Sequence, residues 1–282
     1  MHWFWLSILD VVILGTYMAL LKVPSHKGLS RHAMLIWSFL IPAILSLTFF
    51  YKYFPETDAR LLLFSFIWAF TFSSATAIQM YALQYIDTSA LYPITTTSSL
   101  VLVVLIGLVL FNAPVSVLQW VGVTLVVLTI FLFLYKKGKI QYTPHVLILA
   151  LATLILSAAN KIIVKFISGS YSVEAFQLYS YVFGLLLVLI FHRLFHKRKA
   201  SFFEMSSTAK WGILLGALSF LGGYMYYLAI DRGPFSLVIA IHSLYIIVTT
   251  CVAAYLFNEK VSKRRFILIL LAILAVIIIR LG

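Results

Sequence analysis

Leu110-Phe111-Asn112, with Val115-Ser116 close behind, returns 146 residues later as Leu256-Phe257-Asn258 with Val261-Ser262, interval for interval. Fainter echoes precede it in the same order. Lys22 and Ser25 match Lys165 and Ser168 at an offset of 143, and Ser30, Ala33 and Ser38 match Ser172, Ala175 and Ser180 at 142. Met80-Tyr81-x-Leu83 matches Met225-Tyr226-x-Leu228 at 145. The offset drifts only as short insertions require, so the 282-residue chain reads as one unit written twice.

The unit belongs in lipid. The chain is 63% hydrophobic and 10% charged with a mean hydropathy of +1.07, against roughly 45–50% apolar and about 25% charged in soluble domains. A bilayer core about 30 Å thick takes about 20 apolar residues per helix. Such stretches recur at 3–22, 33–51, 61–84, 89–111, 116–135, 145–165, 173–192, 210–230, 235–257 and 265–280. They are too long for barrel strands and lack the alternation a barrel wall needs. The first is read as a retained span, because Met1-His2 offers no basic lead, Asp10 interrupts the run and no small-x-small cleavage site follows. The expected fold is therefore an all-α integral membrane protein of ten transmembrane helices, five in residues 1–138 and five in 139–282. An odd number of spans per copy sets the second upside down relative to the first. Lys136 to Pro144, the polar link between copies, is too short to be a domain.

The formal charge of +13 does not point to nucleic acid. In the ten-span reading 15 of the 21 Lys and Arg residues fall at one face, including Lys22, Lys27, Arg31, Lys136, Arg193, Lys197 to Lys199 and Lys260 to Arg265. The positive-inside rule makes that face cytoplasmic and puts both termini outside. The run from His192 to Lys199 is read as a topology signal in contact with anionic lipid. Cys251, the single cysteine, has no partner in the chain and is read as a small apolar residue of the ninth span.

The segment Ser236-Leu237 through Tyr255-Leu256-Phe257-Asn258-Glu259-Lys260-Val261-Ser262, its counterpart Ala82-Leu83-Gln84-Tyr85-Ile86-Asp87-Thr88-Ser89-Ala90-Leu91, and the small-residue run from Gly15 to Lys22 resemble the drug/metabolite transporter superfamily, EamA type. The resemblance covers the whole chain with loose motifs. It implies a fold more than a substrate. Two departures stand out: Tyr245 occupies the place of a usual proline in span nine, and Ala113 the place of a usual acid that only the second copy keeps, as Glu259. The resemblance implies that spans one, three, four, six, eight and nine wall a central cavity.

Polar residues at helical spacing mark stripes that could face such a cavity. Span one offers Ser7, Asp10 and Tyr17; span six Thr153, Ser157 and Asn160; span nine His242, Tyr245 and Thr249. Span four opens on Tyr92-Pro93 and continues through Thr95, Thr96, Thr97, Ser98 and Ser99, hydroxyls that can re-satisfy carbonyls freed by the proline or line a wet chamber. They could equally join helices. An Asp at a helix centre costs roughly 2.5–3.5 kcal/mol on insertion scales, so Asp10 is the first candidate, for a proton or a cationic group, against simple pairing with Lys161. His242 could couple transport to protons or simply bond a neighbouring helix. Lys161 could meet an anion. Tyr226 and Tyr81, matched across the repeat, could form part of an aromatic cage or merely pack. Gly222-Gly223 reads as a close helix contact, Trp3, Trp5 and Trp211 as interface anchors, Glu174 as a complement to its helix dipole, and Glu259 as a partner of Lys260, Lys263 or the start of span ten.

These residues anticipate a secondary transporter of a small organic solute in the cell (inner or plasma) membrane, working by alternating access as monomer or homodimer, with protons as a possible coupling ion. No phosphate-binding loop pattern, H-E-x-x-H, G-x-S-x-G or metal-ligand set occurs, so neither an enzyme nor a cofactor is expected. The alternative is a flippase for a lipid or lipid-linked sugar, which scrambling of a labelled lipid in liposomes would reveal.

Overall fold

The computed structural model describes residues 2–96, 99, 102, 116–136, 139–140, 143–195, 202–233 and 235–281. Their order is α1 (Trp3–Leu20), α2 (Val23–Lys27), α3 (Arg31–Phe50), a 3-10 turn (Tyr51–Glu56), α4 (Ala59–Ala82), α5 (88–96), α6 (Val117–Leu134), α7 (Pro144–Ile167), α8 (Val173–Phe195), α9 (Phe202–Arg232), α10 (Phe235–Ser243), α11 (Tyr245–Phe257) and α12 (Lys263–Leu281). Between α6 and α7, Tyr135–Lys136 pairs with Lys139–Ile140 as a two-residue antiparallel ribbon. Among the described residues six helices are long and apolar enough to cross a membrane. The Leu110-Phe111-Asn112 copy of the repeat, Thr97, Ser98 and most of the expected fourth span lie outside the described residues.

Several echoes between the copies have a structural cause. Ser30 and Ser172 each stand before a helix and accept a hydrogen bond from the N–H of Ala33 (3.4 Å) and Ala175 (3.1 Å), so the Ser-x-x-Ala match is a pair of N-caps. Asn258 ends α11 in the left-handed region at φ 52°, a conformation Asn adopts more readily than most residues. In the second copy the Leu-Phe-Asn motif is thus a helix stop.

Packing exchanges partners between the copies. The helix α1 lies on α9 and α4 lies on α7; α3 lies on α9 and α4 on α8; α3 also meets α8, and α6 meets α12. Swapping the copies turns the first member of each of the first two pairings into the second, and returns α3–α8 and α6–α12 to themselves. Such a set is what two copies of one design, related by a two-fold axis, produce.

Lipid-facing and inward faces divide cleanly along single helices. On α7, Ile148, Leu151 and Ile155 are exposed while Thr153 and Lys161 are buried. Small residues set the closest approaches. A Cβ built on Gly15 of α1 would stand 2.6 Å from Val248 Cβ and 3.0 Å from the Tyr245 carbonyl oxygen of α11. Gly15→Ala is therefore expected to force α1 and α11 apart and cost about 1–3 kcal/mol, read as a lower melting temperature of the purified protein. An unchanged melt would mean the two helices yield freely.

Two elements differ from the sequence expectation. The ninth span is not one helix: it breaks at Leu244, whose N–H bonds Ile241 O and whose C=O accepts from Ile247 N, both at 2.9 Å. These tight i→i+3 turns divide α10 from α11 without a proline. The eighth span is longer than expected, because α9 begins eight residues before position 210, with Glu204 in its first turn complementing the helix dipole.

Candidate functional site

Helices from both copies enclose a cavity of about 110 Å³. One wall is α1, where Asp10, Leu14 and Met18 recur every fourth residue and so share one face. Asp10, 1% exposed, meets His242 of α10 through Oδ2 and Nδ1 at 2.5 Å. Its Oδ1 is buried and has no hydrogen-bond partner among the described residues. The break at Leu244 is what delivers this contact, since it places His242 and Tyr245 on adjoining helix ends that both face inward.

Aromatic rings hold the imidazole in place. Tyr226 of α9 lies over it with centroids 4.2 Å apart and planes at 33°, and Tyr245 meets it edge-on at 5.4 Å. Trp68 and Phe72 of α4, stacked at 4.6 Å, and Tyr227 of α9 extend the apolar wall. Among the described residues the ring of Tyr226 is not matched on the cavity wall by Tyr81, its counterpart in the other copy. Tyr81 lies in the last turn of α4, under Arg31 at 5.5 Å and bonded through its hydroxyl to Tyr85, and does not reach the cavity. The expectation for Tyr81 is thus corrected: α9 runs on for six residues after Tyr226, whereas α4 ends one residue after Tyr81, so the same motif stands deep in one helix and at the rim of the other.

The opposite wall is polar. Lys161 of α7, 8% exposed, donates to Ser99 Oγ at 2.6 Å; Ser99 donates to Thr96 O at 2.8 Å; and the Thr96 and Tyr245 hydroxyls bond each other. Asn160 donates to Thr71 Oγ1 at 2.7 Å. Lys161 is therefore engaged with the hydroxyl run, and the pairing partner of Asp10 is His242. Two further expected residues stand behind the lining: Tyr17 is buried and stacked on Phe72, and Thr95 turns its hydroxyl back to Leu91 O at 3.0 Å. Sequence reasoning missed Trp68, Thr76 and Gln79, which line the cavity from α4. Their spacing of eight and three residues keeps one helix face, but Ser65, Thr71, Ser73 and Ser74 spread hydroxyls round the same helix, so that face does not stand out.

Beyond the cavity two acids find partners the sequence did not announce. Glu174 accepts from Tyr224 OH at 2.7 Å. Glu259 pairs not with Lys260, Lys263 or the start of span ten but with Lys22, Nζ to Oε1 at 2.6 Å, and its carboxylate also accepts from the backbone N–H of Thr88 (3.0 Å) and Ser89 (3.2 Å). Among the described residues no cluster of His, Cys, Asp or Glu is arranged to hold a metal.

Two interlocked sets of helices thus enclose one buried chamber, its lining mostly apolar with a few polar groups. The chain belongs to the EamA-like transporter family, whose model matches residues 1–135 and 145–281. Members of this family are transporters, and the protein is a multi-pass membrane transporter. A solved chain described as "Crystal structure of protein" superposes with a TM-score of 0.64 over 96% of this chain and 94% of its own, at 13% identity. That likeness concerns the fold alone. A search of curated proteins finds no match.

Proposed function

We propose that the protein carries a small organic solute across the cell membrane by alternating access, and that movement is coupled to a proton held between Asp10 and His242. The observation that supports this reading is the buried Asp10–His242 contact on the wall of the chamber. Ionisable groups inside a bilayer are costly and are kept where they act, and an imidazole is the side chain whose charge changes nearest neutral pH. The aromatic lining suits a solute with an apolar body. Asn160 and Lys161 offer it hydrogen-bond donors. The face bearing most lysines and arginines is taken as cytoplasmic.

A thermal-shift screen of the purified protein against amino acids, amines, nucleosides and sugars tests the reading. A transported solute should raise stability by mass action, by about 2.7 kcal/mol at a hundredfold excess over Kd, and should then exchange across proteoliposome membranes. If no class both stabilises the protein and exchanges, the transport reading of this chamber is wrong.

A further inference from the structure

Three cavity-facing stripes converge at one end of the chamber. On α1, Asp10, Leu14 and Met18 line the cavity and Lys22 is the next position at the same spacing. On α5, Thr96 lines it, Tyr92 one turn earlier donates to Met18 O at 2.8 Å, and Thr88 is one turn earlier again. From the second copy, α11 runs from Tyr245 on the cavity wall to its end at Phe257, with Glu259 two residues on. Where the stripes meet, charges from both copies interlock. Lys22 binds Glu259 at 2.6 Å and Asp87 at 3.6 Å; Arg265 binds Asp87 at 2.6 Å and Ser89 Oγ at 3.3 Å; and Glu259 takes the first N–H groups of α5. The Glu259 side chain is 3% exposed.

We infer that this network is the gate closing the chamber at the face where Lys22 and Arg265 lie, with Glu259 as the positioning residue that ties the second copy to α1 and α5 of the first. The inference rests on the alternating-access reading. Opening that face requires the ends of α1 and α5 to part from the α11–α12 junction. Every bond of Glu259 named above crosses that line, as does Arg265–Asp87. The residue corresponding to Glu259 in the first copy is Ala113, so this lock is not duplicated; at the other face Glu56 and Asp58 instead accept from the Ser172 N–H and the Tyr171 hydroxyl. The two ends of the carrier are thereby made unequal, and the protein rests closed at the Lys22 face.

Met18→Cys in a Cys251→Ser background reports on the passage, since Met18 lines the end of the cavity nearest Lys22. Reconstituted in liposomes, it is labelled by a membrane-impermeant maleimide applied from either face. The unmodified gate should protect Cys at 18 from the Lys22 face. Glu259→Gln should raise labelling from that face by about tenfold or more, given the weight of several charge-assisted bonds, and lower it from the other. Asp87→Asn, which breaks the Arg265 and Lys22 contacts at a half-exposed side chain, should shift labelling in the same direction, and it carries the test if Glu259→Gln does not fold. Unchanged labelling in a variant that melts cooperatively overturns the gate. Equal labelling from both faces before any gate substitution would overturn the resting closure at the Lys22 face, whereas failure of the solute to exchange would overturn the transport reading on which it rests.

Discussion

Asp10→Asn is expected to abolish proton-driven accumulation of the transported solute while leaving exchange down its own gradient intact. Asparagine keeps the shape of the side chain and can still bond His242, but it neither takes up nor releases a proton. In the native protein the carboxylate and the imidazole, 2.5 Å apart, share a buried site with Tyr226 and Tyr245 against the ring. One proton moved per solute allows about tenfold accumulation for each pH unit of gradient, because a pH unit is worth about 1.36 kcal/mol. The variant should bring the internal to external ratio to one. Its melting temperature should not fall, because an amide replaces a charge that is costly to bury. Proteoliposomes with an imposed pH gradient decide the matter: if the variant still concentrates solute, Asp10 is structural and the proton is held elsewhere.

What could be read from the sequence followed the physics of each signal. The helices were legible because lipid leaves a span no other way to satisfy its backbone, and the Ser30/Ser172 caps lay at matched positions because capping is local. The break at Leu244 was not legible. The sequence offers no proline there, and the interruption follows from tertiary contacts that turn both His242 and Tyr245 inward. Cavity residues with a charge, Asp10 and Lys161, were found because their cost in lipid makes them conspicuous. Their partners were not, since whether Asp10 meets Lys161 or His242 depends on how α1 sits against α7 and α10. The Tyr81 expectation failed for a related reason: matched sequence implies matched local structure, but a helix end that differs by several residues moves the same side chain from chamber to rim. Glu259 lies next to a lysine and near three more basic residues, and proximity along the chain favoured those partners. The fold brings Lys22 from the far end of the sequence instead.

Glu259 also carries a prediction about acid stability. Its carboxyl is buried at the junction of α11 and α12, and burial alone would raise its pKa. The hydrogen bonds from Lys22 and Thr88 and the charge of Lys22 outweigh that and hold it below the ordinary value of 4.5. A carboxyl depressed in the folded state contributes stability above its unfolded pKa and loses it as pH falls through the folded value. The native protein should therefore melt at a steady temperature from neutral pH down to about 4.5 and lose this contribution only below it. Glu259→Gln leaves Lys22 with only the Asp87 carboxylate, 3.6 Å away, and should cost about 1–3 kcal/mol at neutral pH. Because glutamine does not titrate, the melting curves of the two proteins should draw together as the solution is acidified past that point. A gap that stays constant with pH would mean the substitution acts through packing at Phe257 and Asn258 rather than through charge.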